Sequence, residues 1–131
     1  MANTVSRQRV SNSLRTLLIE NAATAFSGTT TMIEAEGIES YDRATIQIRN
    51  QAEGATITAK VWGTLFDAAG SLVVDSEWVQ IGDDIEITNN TGSLKSLSTT
   101  GLRFIAVTMT IASGTPTFNA GNCKIFLQGT I

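Results

Sequence analysis

The stretch Ala55-Thr56-Ile57-Thr58-Ala59-Lys60-Val61-Trp62-Gly63-Thr64-Leu65-Phe66 decides the fold class. Ala55, Ile57, Ala59, Val61 and Leu65 share one side of an extended chain. Thr56, Thr58, Lys60 and Thr64 take the other side, together with Trp62 and Phe66. A period of two is the mark of a strand that buries one face. The same alternation recurs in 44–49, where Ala44, Ile46 and Ile48 oppose Thr45, Gln47 and Arg49. In 102–112, Ile105, Val107, Met109 and Ile111 oppose Phe104, Ala106, Thr108 and Thr110. In 123–128, Cys123, Ile125 and Leu127 oppose Lys124, Phe126 and Gln128. Further strands are predicted at 31–38, 72–80, 84–88 and 94–99.

Composition points the same way. The chain holds 19 Thr, 13 Ile and 7 Val, β-branched residues that suit a pleated surface. Its 11 glycines punctuate the sequence at the spacing of short strands in a sandwich or barrel. Asn50 to Gly54 is predicted to join its flanking strands as a hairpin, and Asp67 to Gly70 to form a type I turn. Asn89 to Gly92 and Ser113 to Pro116 are predicted loops, and Tyr41 with Asp42 marks the start of a strand. The expected fold is all-β: a single sandwich of about eight strands, jelly-roll-like or immunoglobulin-like.

A length of 131 residues suits one domain with a real core. There is no histidine, one cysteine and one proline. Disulfide scaffolds, Cys/His zinc sites and His-dependent catalysis are thereby excluded. The net charge of −3 argues against nucleic-acid binding through phosphates. No apolar run reaches the length of a membrane helix, and the start of the chain lacks a signal-peptide core. The expectation is a bacterial or viral protein made in the cytosol, with no membrane or nucleic-acid partner. Residues 1–20 are read as an arm and lead-in strand, and 21–131 as the sandwich. The arm carries Arg7, Arg9 and Arg15 against Glu20, whereas the body is acidic. Residues 2–13 hold only two sizeable apolar side chains, Val5 and Val10, too few to offset the entropy of ordering alone.

Candidate chemistry is sparse. Asp83, Asp84 and Glu86 supply oxygen ligands, but match no calcium-loop spacing and read as a solvated loop. Glu34, Glu36 and Glu39 read as the wet face of an edge strand. Asp75 and Glu77 share a strand face, the minimum for carboxylate-pair hydrolysis, yet a small sandwich seldom holds the required cleft. No phosphate loop, dinucleotide fingerprint or nucleophile elbow is present. Cys123 reads as a buried strand residue. No catalytic residue, metal or cofactor is expected. Trp62, Phe66 and Trp78 are the candidates for an interface or ligand patch, buried by a bulge or arm, docking a partner, or stacking a sugar.

Read whole, residues 20–131 resemble small β-sandwich virion proteins of tailed bacteriophages. The stretches that carry the resemblance begin with Ser27 to Thr31, Ala44 to Ile48 and Ala55 to Gly63. The turn from Asp67 to Gly70 and the Trp-bearing Glu77 to Ile81 follow. Gly101 to Thr110, Ser113-Gly114 and Lys124 to Gln128 complete the pattern. The resemblance implies a structural role. Some such proteins decorate or cement the capsid exterior, often as trimers, and others are tail or fibre modules that bind host surfaces. It implies the major capsid protein and further copies of the chain as partners. Arg7, Arg9, Val10 and Arg15 are then the candidate docking arm.

Overall fold

The computed structural model describes residues 2–6, 15–22, 28–66, 77–117 and 123–130. These residues form strands β1 (Ala2–Ser6), β2 (Arg15–Ala22), β3 (Thr29–Gly37), β4 (Arg43–Asn50) and β5 (Glu53–Thr64). They continue with β6 (Val79–Gln80), β7 (Ile85–Ile87), β8 (Thr91–Ser98), β9 (Phe104–Thr117) and β10 (Cys123–Thr130). Among the described residues there is no helix.

The strands form two antiparallel sheets. Sheet 1 has the order β1-β2-β10-β4-β8. Sheet 2 has the order β3-β9-β5-β6, with β7 also pairing β5. From β2 onward the chain changes sheet at every connection except those joining β5, β6 and β7. With β6 and β7 taken as one interrupted strand, the two orders are interleaved Greek keys, the jelly roll. The immunoglobulin alternative falls on one observation. Its last strand lies at a sheet edge, whereas β10 lies between β2 and β4.

The core is the alternation of the sequence closed on itself. Ile46, Ile48, Ile125 and Leu127 of sheet 1 meet Ile57, Ile105, Val107 and Met109 of sheet 2, and none is more than 1% exposed. Each such side chain contributes about 1.5–3 kcal/mol of transfer free energy. Leu65 departs from its predicted place. It is 61% exposed, because β5 ends at Thr64 and the alternation ends with it.

Three connections differ from the sequence reading. Residues 50–54 do not close a hairpin, since β4 and β5 lie in different sheets. The crossover is held by the buried Asn50, whose Nδ2 donates to the carbonyls of Ala55 (3.1 Å) and Ile87 (3.0 Å). Its Oδ1 accepts from the Ala52 amide at 3.0 Å, completing an Asx turn that bends the chain from one sheet to the other. The loop predicted at Ser113 to Pro116 is instead part of β9. Gly114 takes a φ of 87° there, at a bulge opposite Ala55. Asn89-Asn90 does form the predicted turn, with Asn90 at φ 61°, but Thr91 and Gly92 already belong to β8. The turn predicted at Asp67 to Gly70 lies outside the described residues.

Tyr41 and Asp42 immediately precede β4, as expected. The Asp42 amide donates to Thr130 O and its carbonyl accepts from the Thr99 amide, both at 2.9 Å. The Thr99 hydroxyl donates to Tyr41 O at 2.9 Å, so this end of sheet 1 is cross-tied.

Candidate interaction surfaces

The aromatic candidates are placed apart. Trp62 lies on the outer face of sheet 2, half-buried, opposite Ala106 on β9 and Gln80 on β6. Its Nε1–H donates to the Thr108 hydroxyl at 3.0 Å, so the indole reaches diagonally across β9. That position accounts for the burial of Ala106 and Thr108 on an outward face. Further along the same face lie more threonines. Thr29, Thr110 and Thr58 stand in one row across the sheet, and the Thr29 and Thr110 hydroxyls are 2.8 Å apart. Trp78, by contrast, is 6% exposed and presents no open face.

Phe66 is 58% exposed, and its neighbours in space are not the tryptophans. With Leu65 and Val79 (66% exposed) it borders an apolar groove of about 360 Å³ at the end of β5. Ile81, Leu102 and Gly63 also line the groove. The sequence builds it locally. Gly63 has no side chain, and a Cβ there would meet the δ carbons of Ile81 and Leu102, which fill that space. The Thr64 hydroxyl donates to Glu77 O at 2.7 Å and accepts from the Phe66 amide at 3.1 Å. These two hydrogen bonds hold the chain end after β5, where Leu65 and Phe66 stand in solvent. Strict alternation assigned Leu65 to the core and so missed half of this patch. The signal available was Gly63 two residues earlier, where a strand that packs a large residue inward would not stop.

The arm candidates Arg7, Arg9 and Val10 lie outside the described residues. Arg15 is the first residue of β2, paired in register with Ser6 of β1. β2 itself runs through residue 20 to Ala22, between β1 and β10, so the lead-in strand is an inner strand of sheet 1.

Two of the acidic candidates, Asp84 and Glu39, make contacts within the fold. Between Trp62–Gln80 and Ala59–Ile85 the pairing register moves by two residues, and the extra chain loops out at Gly82, φ 73°. Asp84 braces this bulge. It accepts from Gln80 Nε2 at 2.6 Å and lies 3.8 Å from Lys60 Nζ. Glu39 pairs with Arg103 at 3.6 Å. Glu36 is half-buried, and desolvation raises its pKa above the usual carboxylate value. Asp75 lies outside the described residues, so the Asp75–Glu77 pair does too. No group of three or more metal-binding side chains occurs among the described residues. Cys123 is fully buried, and burial pushes its thiol up to about 11, which keeps it protonated and unreactive at neutral pH.

Sheet 1 presents a surface that no single stretch of sequence contains. Its outer face carries Arg43 and Arg49 from β4 and Lys124 and Phe126 from β10. Leu94 of β8, 67% exposed, continues the row of Phe126 and Gln47. Glu20 is the one acid of that face among the described residues.

No protein-family model and no curated protein sequence matches the chain. Solved structures share its shape at low identity. A protein of Bacillus endospore appendages, described as forming disulfide-linked pili, is 14% identical at TM-score 0.46, covering 100% of this chain and 91% of that one. The coat protein of Tobacco streak virus is 11% identical at TM-score 0.42, covering 95% and 90%. A CBM22-1 xylan-binding domain from Paenibacillus barcinonensis is 8% identical at TM-score 0.37, covering 100% and 81%. At these scores the likenesses carry no functional argument. Within the described residues, no helix is long and apolar enough to cross a membrane.

Proposed function

We propose that this chain is a non-enzymatic virion protein of a tailed phage, a decoration or cement protein. It binds the outside of the shell as a trimer and bridges neighbouring subunits of the major capsid protein. The observation that carries this reading is the apolar groove bordered by Leu65, Phe66 and Val79. Three large apolar side chains held in solvent at one end of a well-packed sandwich are suited to docking on protein. The jelly roll supports the reading as an architecture used in shells, although a fold alone does not assign a function. The mechanism is mechanical: buried contact area, repeated over many sites, holds the lattice against internal pressure. Co-sedimentation with expanded shells lacking the protein tests it. The expected result is saturable binding that Phe66→Ser weakens at least tenfold, and no binding overturns the reading.

A second reading is a tail- or fibre-associated carbohydrate or host-surface module. Trp62 favours it, a half-buried indole on the outer face of sheet 2 whose Nε1–H bonds the Thr108 hydroxyl. Glycan binding that quenches Trp fluorescence and is lost in Trp62→Ala is its expected signature.

A further inference from the structure

The interrupted strand β6–β7 opens the sandwich at one edge. Between the Trp62–Gln80 and Ala59–Ile85 pairs, two residues of β5 face four of the other segment, Ile81 to Asp84. The Ile81 amide still donates to Val61 O at 2.8 Å, so the surplus chain loops out from Gly82. Gly82 has no side chain, and a Cβ there would meet nothing within 4 Å. Across the gap lies β8, an edge strand of sheet 1. Its Lys95 and Leu97 stand opposite the core residues Ile46 and Ala44, so both are on the inner side of β8. The result is a cavity of about 150 Å³ with an apolar wall of Val61, Ile81, Ile85 and Leu97. Asp83 and Lys95 line the same cavity. Of its lining residues, only Ile81 is shared with the groove beside Phe66.

The two charges are uncommitted. Asp84 is held by Gln80 and Lys60, but its neighbour Asp83 is not part of that contact. Among the described residues, neither the Asp83 nor the Lys95 side chain forms an ion pair or hydrogen bond, with each other or with a third group. A carboxylate and an ammonium on one small cavity, left unpaired, complement a molecule that carries both signs close together. The apolar wall complements a short hydrocarbon chain on the same molecule. A cavity of ~150 Å³ has room for the carbons of a benzene ring, and so for a branched chain of four. A simple acid or a simple amine would match the wall and only one of the charges.

We propose that this cavity binds a free α-amino acid with an apolar side chain, of the size of leucine. The Asp83 carboxylate receives the ligand's ammonium, and the Lys95 ammonium receives its carboxylate. The side chain fills the space between Val61, Ile81, Ile85 and Leu97. Asp83 and Lys95 are both exposed, and water screens each contact. The dissociation constant is therefore expected on the order of 1–10 mM. The inference goes beyond the shell-binding reading and does not depend on it, since Leu65, Phe66 and Val79 take no part in the site.

The experiment is an NMR titration of the purified chain, methyl-labelled at Ile and Leu. The probes are leucine, 4-methylpentanoate (no ammonium), 3-methylbutylamine (no carboxylate) and glycine (no side chain). Leucine is expected to move the Ile81, Ile85 and Leu97 methyl signals saturably, and each of the other three to bind several-fold more weakly. Asp83→Asn is expected to weaken leucine several-fold and to leave 4-methylpentanoate unchanged. Lys95→Gln is expected to weaken leucine and 4-methylpentanoate and to leave 3-methylbutylamine unchanged. Both substitutions are at exposed positions, and unchanged spectra in the absence of ligand show that each variant is folded. No saturable change with leucine up to about 100 mM overturns the proposal. So does binding of the three analogues as tightly as leucine, or binding of leucine that neither variant weakens.

Discussion

Asn50 is a buried polar side chain at the crossover between the sheets. It is wholly buried, and it satisfies two carbonyls and one amide at the point where the chain leaves sheet 1 for sheet 2. Asn50→Ala strands all three groups away from water. The expected loss is roughly 3–5 kcal/mol, read as a lower midpoint in urea. Asn50→Asp keeps the acceptor but loses the Nδ2 donor, so it should not rescue. Cys123 governs the alkaline limit. Its folded pKa of about 11 lies above the ordinary value of 9.0, so its contribution is complete below pH 9 and is lost as pH rises toward 11. Wild type should lose about 2–3 kcal/mol more stability than Cys123→Ala between those limits. Glu36 has the same sign at acid pH. Burial favours its neutral form, so Glu36→Gln is expected to raise the melting temperature at pH 7 and to do nothing at pH 3.

At the scale of elements, the strands that alternate cleanly were legible and their connections were not. Ile46, Ile48, Ile57, Val107, Ile125 and Leu127 are all in the core that their period assigned. The period says which face is buried, but not whether the next strand lies in the same sheet. Asn50 to Gly54 has hairpin-like composition and is a crossover. Its distinguishing feature is long-range, the bond from Asn50 to Ile87, which no local window contains. The interrupted β6–β7 strand was legible only in part, since the bulge depends on Asp84 meeting Lys60 from another strand. The interaction surfaces were the least legible. Arg43 and Lys124 are far apart in sequence and share a face only because β10 inserts beside β4. The free edge of β8 illustrates the same point. It is eight residues long with an unbroken register, a template for pairing with another chain. Lys95 stands opposite Ile46, on the inner side of that edge strand, where a charge opposes further sheet extension. Lys95→Val is therefore expected to raise thioflavin-positive aggregation severalfold at unchanged or higher stability. Equal aggregation would remove Lys95 from that role.

At the scale of the molecule, the jelly roll leaves three surfaces of different character. One end holds the apolar groove, the outer face of sheet 1 carries Arg43, Arg49 and Lys124 with Glu20, and the outer face of sheet 2 carries Trp62 and a row of threonines. Under the proposed reading, the groove is the surface offered to the shell. The Trp62 face is left to the carbohydrate reading, so the two functions make opposite demands on Phe66 and Trp62. The measurement that tests the central claim most directly is co-sedimentation with expanded shells, comparing wild type, Phe66→Ser and Trp62→Ala. The account expects saturable binding by wild type and Trp62→Ala, weakened at least tenfold in Phe66→Ser. Absence of wild-type binding, or loss on changing Trp62 but not Phe66, would contradict it.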